Sequence, residues 1–169
     1  MKNTLIILFA FICSFAFSQS DNDILFIKSK VETVNALSAT FQINSLKDIE
    51  ESTEILVFTD NSKNIKLIKE TYLNENGRTI IWNYIENNHA YFIFKEYYTY
   101  KLPTSDKNFD ASKYTKLEEG FYLKNDRVIR WMQGKKQITK YPKNAASIEN
   151  NMMMHIEDMI TRFNQQAKG

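Results

Sequence analysis

The chain has almost no cysteine. Cys13 is the single one, and it falls inside an apolar run at the N-terminus. Everything after that run is therefore without a disulfide, a thiolate nucleophile or a cysteine metal ligand. Stability must come from packing and hydrogen bonds alone. Histidine is nearly as scarce: His89 and His155 are the two, and neither stands in an H-E-x-x-H or comparable ligand spacing. No metal and no cofactor is expected on that basis. With 4 Gly and 2 Pro, the composition excludes a collagen-like or low-complexity chain. Phosphate-cradling and dinucleotide-binding glycine motifs are missing, and so are the G-x-S-x-G elbow and the Ser-x-x-Lys pair. Charge of one sign is missing too. A formal net charge of +2, without a basic stripe, argues against nucleic acid as a partner.

Long hydrophobic runs are limited to one. Lys2 precedes an apolar stretch from Thr4 to Phe17, and Ala16-Phe17-Ser18 places small residues at −3 and −1 before Gln19. This reads as a secretory signal cleaved between Ser18 and Gln19, leaving residues 19–169 as a single domain. The run is short for a membrane span, so no span is expected after cleavage. Ile12 precedes Cys13 where a lipid-anchoring motif needs a small residue. Export without disulfides fits a bacterial periplasm or cell surface.

What is present is aromatic and β-branched. Thr79 to Tyr100 reads as a β-hairpin turning at Asn87-Asn88, two residues that tolerate positive φ. A regular ladder from that turn pairs Glu86 with His89, Ile85 with Ala90, Tyr84 with Tyr91, Asn83 with Phe92 and Trp82 with Ile93. Side-chain alternation then gives a core face of Ile81, Ile85, Ala90, Phe92 and Phe94. The opposite face carries Trp82, Tyr84, Tyr91, Ile93 and Lys95.

Around this hairpin the pattern is strand-like from Glu54 to Tyr141, with Lys101 to Tyr114 a polar loop. Asn76-Gly77 suggests a second type I′ turn. Ile24, Ile27, Val31, Val34 and Leu37 recur at helical spacing, with Ser20 and Asp23 as a capping pair. Ile148, Met152, Ile156, Met159 and Phe163 do the same near the C-terminus, behind Ser147 as N-cap. Leu46 and Ile49 suggest a short helical turn between the first helix and the strands. The expected fold is α+β: an antiparallel meander of five to seven strands, with helices 22–38 and 148–165 packed on one face.

Tyr84-Ile85-Glu86-Asn87-Asn88-His89-Ala90-Tyr91 aligns without gaps on Tyr122-Leu123-Lys124-Asn125-Asp126-Arg127-Val128-Ile129. Tyr72-Leu73-Asn74-Glu75-Asn76-Gly77-Arg78 follows with one extra residue. Over roughly residues 54–132 this pattern, Tyr-Leu-x-Asn-x-Arg-x-Ile-x-Trp, resembles the distantly MORN-like β-hairpin repeats of secreted proteins from Bacteroidetes-type bacteria. The resemblance implies an architecture and carries no catalytic residue with it.

Tyr and Trp suit a surface that is apolar in body and polar at the tip. Trp82, Tyr84 and Tyr91, extended by Tyr97, are therefore the candidate binding residues. They point to a non-catalytic binding module for a protein or glycan. A structural or inhibitory protein that docks another protein is the alternative, and a hydrolase with an unrecognised site is a third reading. Glu50, Glu51 and Glu54 read as a solvated acidic face, and Glu86 with His89 as an exposed ion pair across the turn.

Overall fold

The computed structural model describes residues 21–46 and 53–167. The signal segment with Cys13, and Ser20, Ile49, Glu50 and Glu51, lie outside the described residues. The chain opens with helix α1 (21–37), which tightens into a 3-10 turn at Ser38–Thr40. Eight strands follow: β1 (Gln42–Leu46), β2 (Thr53–Thr59), β3 (Ile65–Asn74), β4 (Gly77–Glu86), β5 (His89–Tyr100), β6 (Tyr114–Lys124), β7 (Arg127–Gln133) and β8 (Lys136–Gln137). Helix α2 (Ala145–Gln166) closes the chain. All neighbouring strands pair antiparallel in sequence order, so the sheet is an unbroken meander. The fold is α+β, as expected. The sheet is wider than the expected five to seven strands because Leu46 belongs to edge strand β1 rather than to a helical turn.

The two helices do not share a face. Ile24 and Ile27 of α1 pack with Leu67, Tyr84, Tyr91 and Tyr122. Ile156, Met159, Ile160 and Phe163 of α2 pack with Ile55, Val57, Ile68, Ile85, Ile93, Phe121 and Leu123. The expectation of both helices on one face is corrected by the strands themselves. Leu67-Ile68, Tyr84-Ile85 and Phe121-Tyr122-Leu123 place consecutive large residues on opposite sides of the sheet. Both sides are then apolar, and each requires a cover to keep it from water.

The central hairpin turns where its sequence says. Asn87 and Asn88 have φ of 51° and 65°, and Asn125 and Asp126 in the β6–β7 turn have 52° and 58°. Positive φ at both central residues is the condition for a type I′ turn, and asparagine and aspartate tolerate it best among residues with a side chain. After two pairs, Glu86 with His89 and Ile85 with Ala90, the register shifts and Tyr84 faces Phe92. Tyr91 is the extra residue of a β-bulge. Ile129 is its equivalent in the next hairpin, where Tyr122 faces Arg130. A one-residue insertion moves every later side chain to the other face. Ile93, at 1% exposure, therefore joins the α2-side core. Phe92 and Phe94 lie half-buried on the α1 side, which corrects their expected place in the core.

The β3–β4 turn departs from type I′. Its central residues are Glu75 and Asn76, neither with positive φ, and Asn76 N–H donates to Asn74 Oδ1 at 2.9 Å. Gly77 serves a different need. A Cβ there would sit 2.0 Å from the carbonyl oxygen of Tyr98, so the β4 and β5 backbones approach too closely for any side chain. Gly77→Ala is expected to destabilise by about 1–3 kcal/mol through this overpacking. Gly120→Ala meets side chains alone, the Phe92 ring at 3.4 Å and Met132 Cβ at 3.9 Å, and is the control. Urea unfolding of both variants checks the contrast, and equal midpoints would refute it.

Candidate ligand cleft

Helix α1 crosses the α1-side face at the end of the sheet where the β4–β5 and β6–β7 turns lie. Ionic contacts fix it there. Asp21 meets Arg130 at 2.6 Å, Asp23 meets Lys124 at 2.8 Å, and Lys30 meets Glu86 at 2.5 Å. Further along, Tyr84 Oη donates to Asn35 Oδ1 at 2.9 Å. The two turns are themselves linked, His89 Nδ1 to Asp126 Oδ1 at 3.1 Å. Between α1 and this pair of turns runs an open cleft of about 560 Å³. That is within the size range of small-molecule sites. On the other side of the His89–Asp126 link, a second cleft of about 550 Å³ lies between the turns and Met153, Ile156, Glu157 and Ile160 of α2.

The first cleft combines an aromatic wall with paired charges. Phe26 lines it and is 66% exposed. The Lys30 ammonium lies 4.2 Å from the Tyr91 ring centroid and 5.4 Å from that of Phe26, so one cation joins both aromatic rings. Tyr91 is 8% exposed, and its buried hydroxyl has no hydrogen-bond partner among the described residues. Burial raises its pKa well above the ordinary tyrosine value, with Glu86 adding to the effect, so the phenol stays protonated. Tyr84 is raised as well, chiefly by burial, with the bond to Asn35 working against the rise.

The expected binding residues are divided by the bulge and by α1. Tyr84 and Tyr91 lie under the helix, and their rings stand 6.2 Å apart. Trp82 is on the same face but half-buried, with its indole N–H donating to Glu96 Oε2 at 3.3 Å and the Lys69 ammonium 5.1 Å from its ring. Tyr97 is on the α2 side, where its hydroxyl donates to Glu119 Oε2 at 2.9 Å and Trp131 donates to the other oxygen at 3.3 Å. Three of the four thus share a face and one does not. Glu86 and His89 face each other across the turn, but their ionic partners are Lys30 and Asp126. Glu54 is exposed, as read from its polar surroundings.

Two features escaped the sequence pattern. Leu25 and Phe26 stand off the helical stripe, at 63% and 66% exposure, and large apolar residues outside a stripe are the signal that would have found this wall. The other feature is Glu70, 1% exposed under α2. It accepts from Asn83 Nδ2 at 2.7 Å, Tyr72 Oη at 2.5 Å and His155 Nε2 at 2.6 Å. Burial by itself would raise its pKa, yet the bonds from His155, Tyr72 and Asn83 outweigh that and hold it below the ordinary carboxylate value. Lys95, on the same face, is lowered by burial, while Glu119 and Glu70 pull the other way. Both oxygens of Glu70 are occupied from within the protein, which is how a buried structural acid is accommodated.

No family model, curated protein or solved structure matches the chain. Among the described residues, no helix is long and apolar enough to cross a membrane, and no group of three or more His, Cys, Asp and Glu side chains could hold a metal ion.

Proposed function

We propose that the protein is a non-catalytic binding module whose ligand occupies the cleft between α1 and the two hairpin turns. The observation that carries this reading is the cleft's wall: an exposed Phe26 beside Lys30 and the buried phenol of Tyr91, on a frame of sheet and helix tied by ion pairs. Convergent polar groups beside an aromatic surface, on rigid elements, are what a binding site needs. Glu70 is fully bonded within the protein and its pKa is held below the ordinary carboxylate value, the opposite of what a general acid requires.

A second surface competes for the role. Trp82, Phe94 and Tyr98 form a half-buried aromatic strip on the same face, with Arg78 and Lys116 at 4.3 Å and 5.4 Å from the Tyr98 ring. The export read from residues 1–18 makes the bacterial envelope the place to search for a ligand. Immobilised wild type is expected to retain a component of envelope extract that Phe26→Ala does not retain and Trp82→Ala does. Retention lost only in Trp82→Ala moves the site to the strip. Retention unchanged in both variants defeats the reading.

A further inference from the structure

From the pairing of charges in the cleft, and resting on the reading of the cleft as the ligand site, we infer that the ligand is a neutral oligosaccharide. Two lysines, Lys30 and Lys124, face three carboxylates, Asp23, Glu86 and Asp126. Lys30 is paired with Glu86 and Lys124 with Asp23, and Asp126 is bonded to His89, an ion pair when the imidazole is protonated. A charged ligand would either break one of these pairs or set its charge beside the like member of an intact one. A neutral ligand breaks none. Each carboxylate offers about four acceptor sites and each ammonium three donors. Most of these remain free for a second partner.

The free groups are mixed in kind. Carboxylates accept, ammonium groups donate, and the amides of Asn87 and Asn125 do both. A sugar hydroxyl also does both, so a ring bearing several of them matches such a lining at many orientations. Phe26 supplies the remaining feature. Its exposed ring is a flat apolar surface against which the C–H face of a pyranose packs. A peptide satisfies the aromatic wall equally well, but it brings few hydroxyls to the charged and amide groups of the lining.

The test uses the isotope-labelled full chain followed by amide chemical shifts. Probes are cellohexaose, xylohexaose and chitohexaose as neutral saccharides, hexagalacturonate as an acidic one, and trilysine and triaspartate as peptides. At least one neutral hexasaccharide is expected to give saturable shifts at Phe26, Asn87, His89 and Asn125 below about 10 mM. Because the ligand is uncharged, its affinity should change less than about twofold between 0.05 and 1 M salt. Phe26→Ala, at a position too exposed to disturb folding, should weaken binding at least about tenfold. If hexagalacturonate or a peptide gives those shifts and no neutral saccharide does, the cleft remains the site and the saccharide inference is wrong. If no probe shifts the cleft, or if shifts gather at Trp82, Phe94 and Tyr98, the cleft reading falls and the inference with it.

Discussion

Glu70→Ala is expected to destabilise the protein by about 3–5 kcal/mol, the range for removing one member of a buried ionic network. The carboxylate is 1% exposed and holds together three elements, with Asn83 from β4, Tyr72 from its own strand and His155 from α2. Its removal strands Asn83, itself 2% exposed, with its amide nitrogen left only a 3.4 Å contact to Ile68 O. An unpaired buried donor carries a desolvation penalty in addition to the lost bond. Glu70→Gln preserves the volume and isolates the charge. The native group titrates below its ordinary value of 4.5, so the unfolded chain takes up the proton first as pH falls. The stability contributed by ionised Glu70 is therefore complete above about pH 4.5 and is lost as pH falls through the lower folded-state value. Urea unfolding at pH 7, and again between pH 5 and 3, measures both effects. The wild type should lose stability over the acid range more steeply than Glu70→Gln. A loss under about 1 kcal/mol for Glu70→Ala at pH 7 would mean that the network stabilises nothing.

The sequence is legible where local chemistry decides the structure. Asn87-Asn88 and Asn125-Asp126 announce type I′ turns because few other residues accept two successive positive φ values. Ile24, Ile27, Val31 and Val34 announce α1 by period, and Ile156, Met159 and Phe163 announce α2. Leu37, the last residue of the first stripe, is 48% exposed because α1 ends there and the 3-10 turn leads away. Where each helix docks was not legible from either stripe. An apolar stripe records that a helix is buried and not which side of a sheet buries it. That choice is set by the sheet, whose consecutive large residues leave two faces to be covered. The cleft was half legible. Tyr91 was singled out for its type, but Lys30 and Phe26 reach it from α1 across a long sequence separation, and nothing local to the hairpin encodes that meeting. Glu70 was invisible for the same reason: its partners come from β3, β4 and α2, and a glutamate in an alternating strand reads as solvent-facing.

Ile93→Ala is expected to cost about 2–5 kcal/mol, and Phe94→Ala only about 1–2 kcal/mol, although phenylalanine is the larger side chain. Strict alternation from the Asn87-Asn88 turn gives the reverse order, because it sets Phe94 in the core and Ile93 outside it. The bulge at Tyr91 decides between them. Ile85 and Ala90 still pair before it, on the α2 side. One residue is then inserted, so Ile93 pairs with Asn83 and Phe121 and falls among Ile68, Ile85 and Met159. Its side chain is 1% exposed, and truncation there leaves a cavity walled by strand and helix residues that cannot close on it. Phe94 pairs with Trp82 and Gly120 on the other face and stacks on Phe92 at 6.4 Å. Solvent reaches part of its ring already, so less apolar surface is returned to water when it is cut back. Deleting the bulged residue, Tyr91, is the complementary test. With the extra residue gone, Ile85 still pairs with Ala90 and Tyr84 with Phe92 in a regular ladder, so Ile93 stays toward α2 and Phe94 toward α1, and the protein is expected to keep a cooperative urea transition. A Tyr91 deletion that loses its cooperative transition, or a Phe94→Ala loss that exceeds that of Ile93→Ala, would show that the bulge does not set the faces of this sheet.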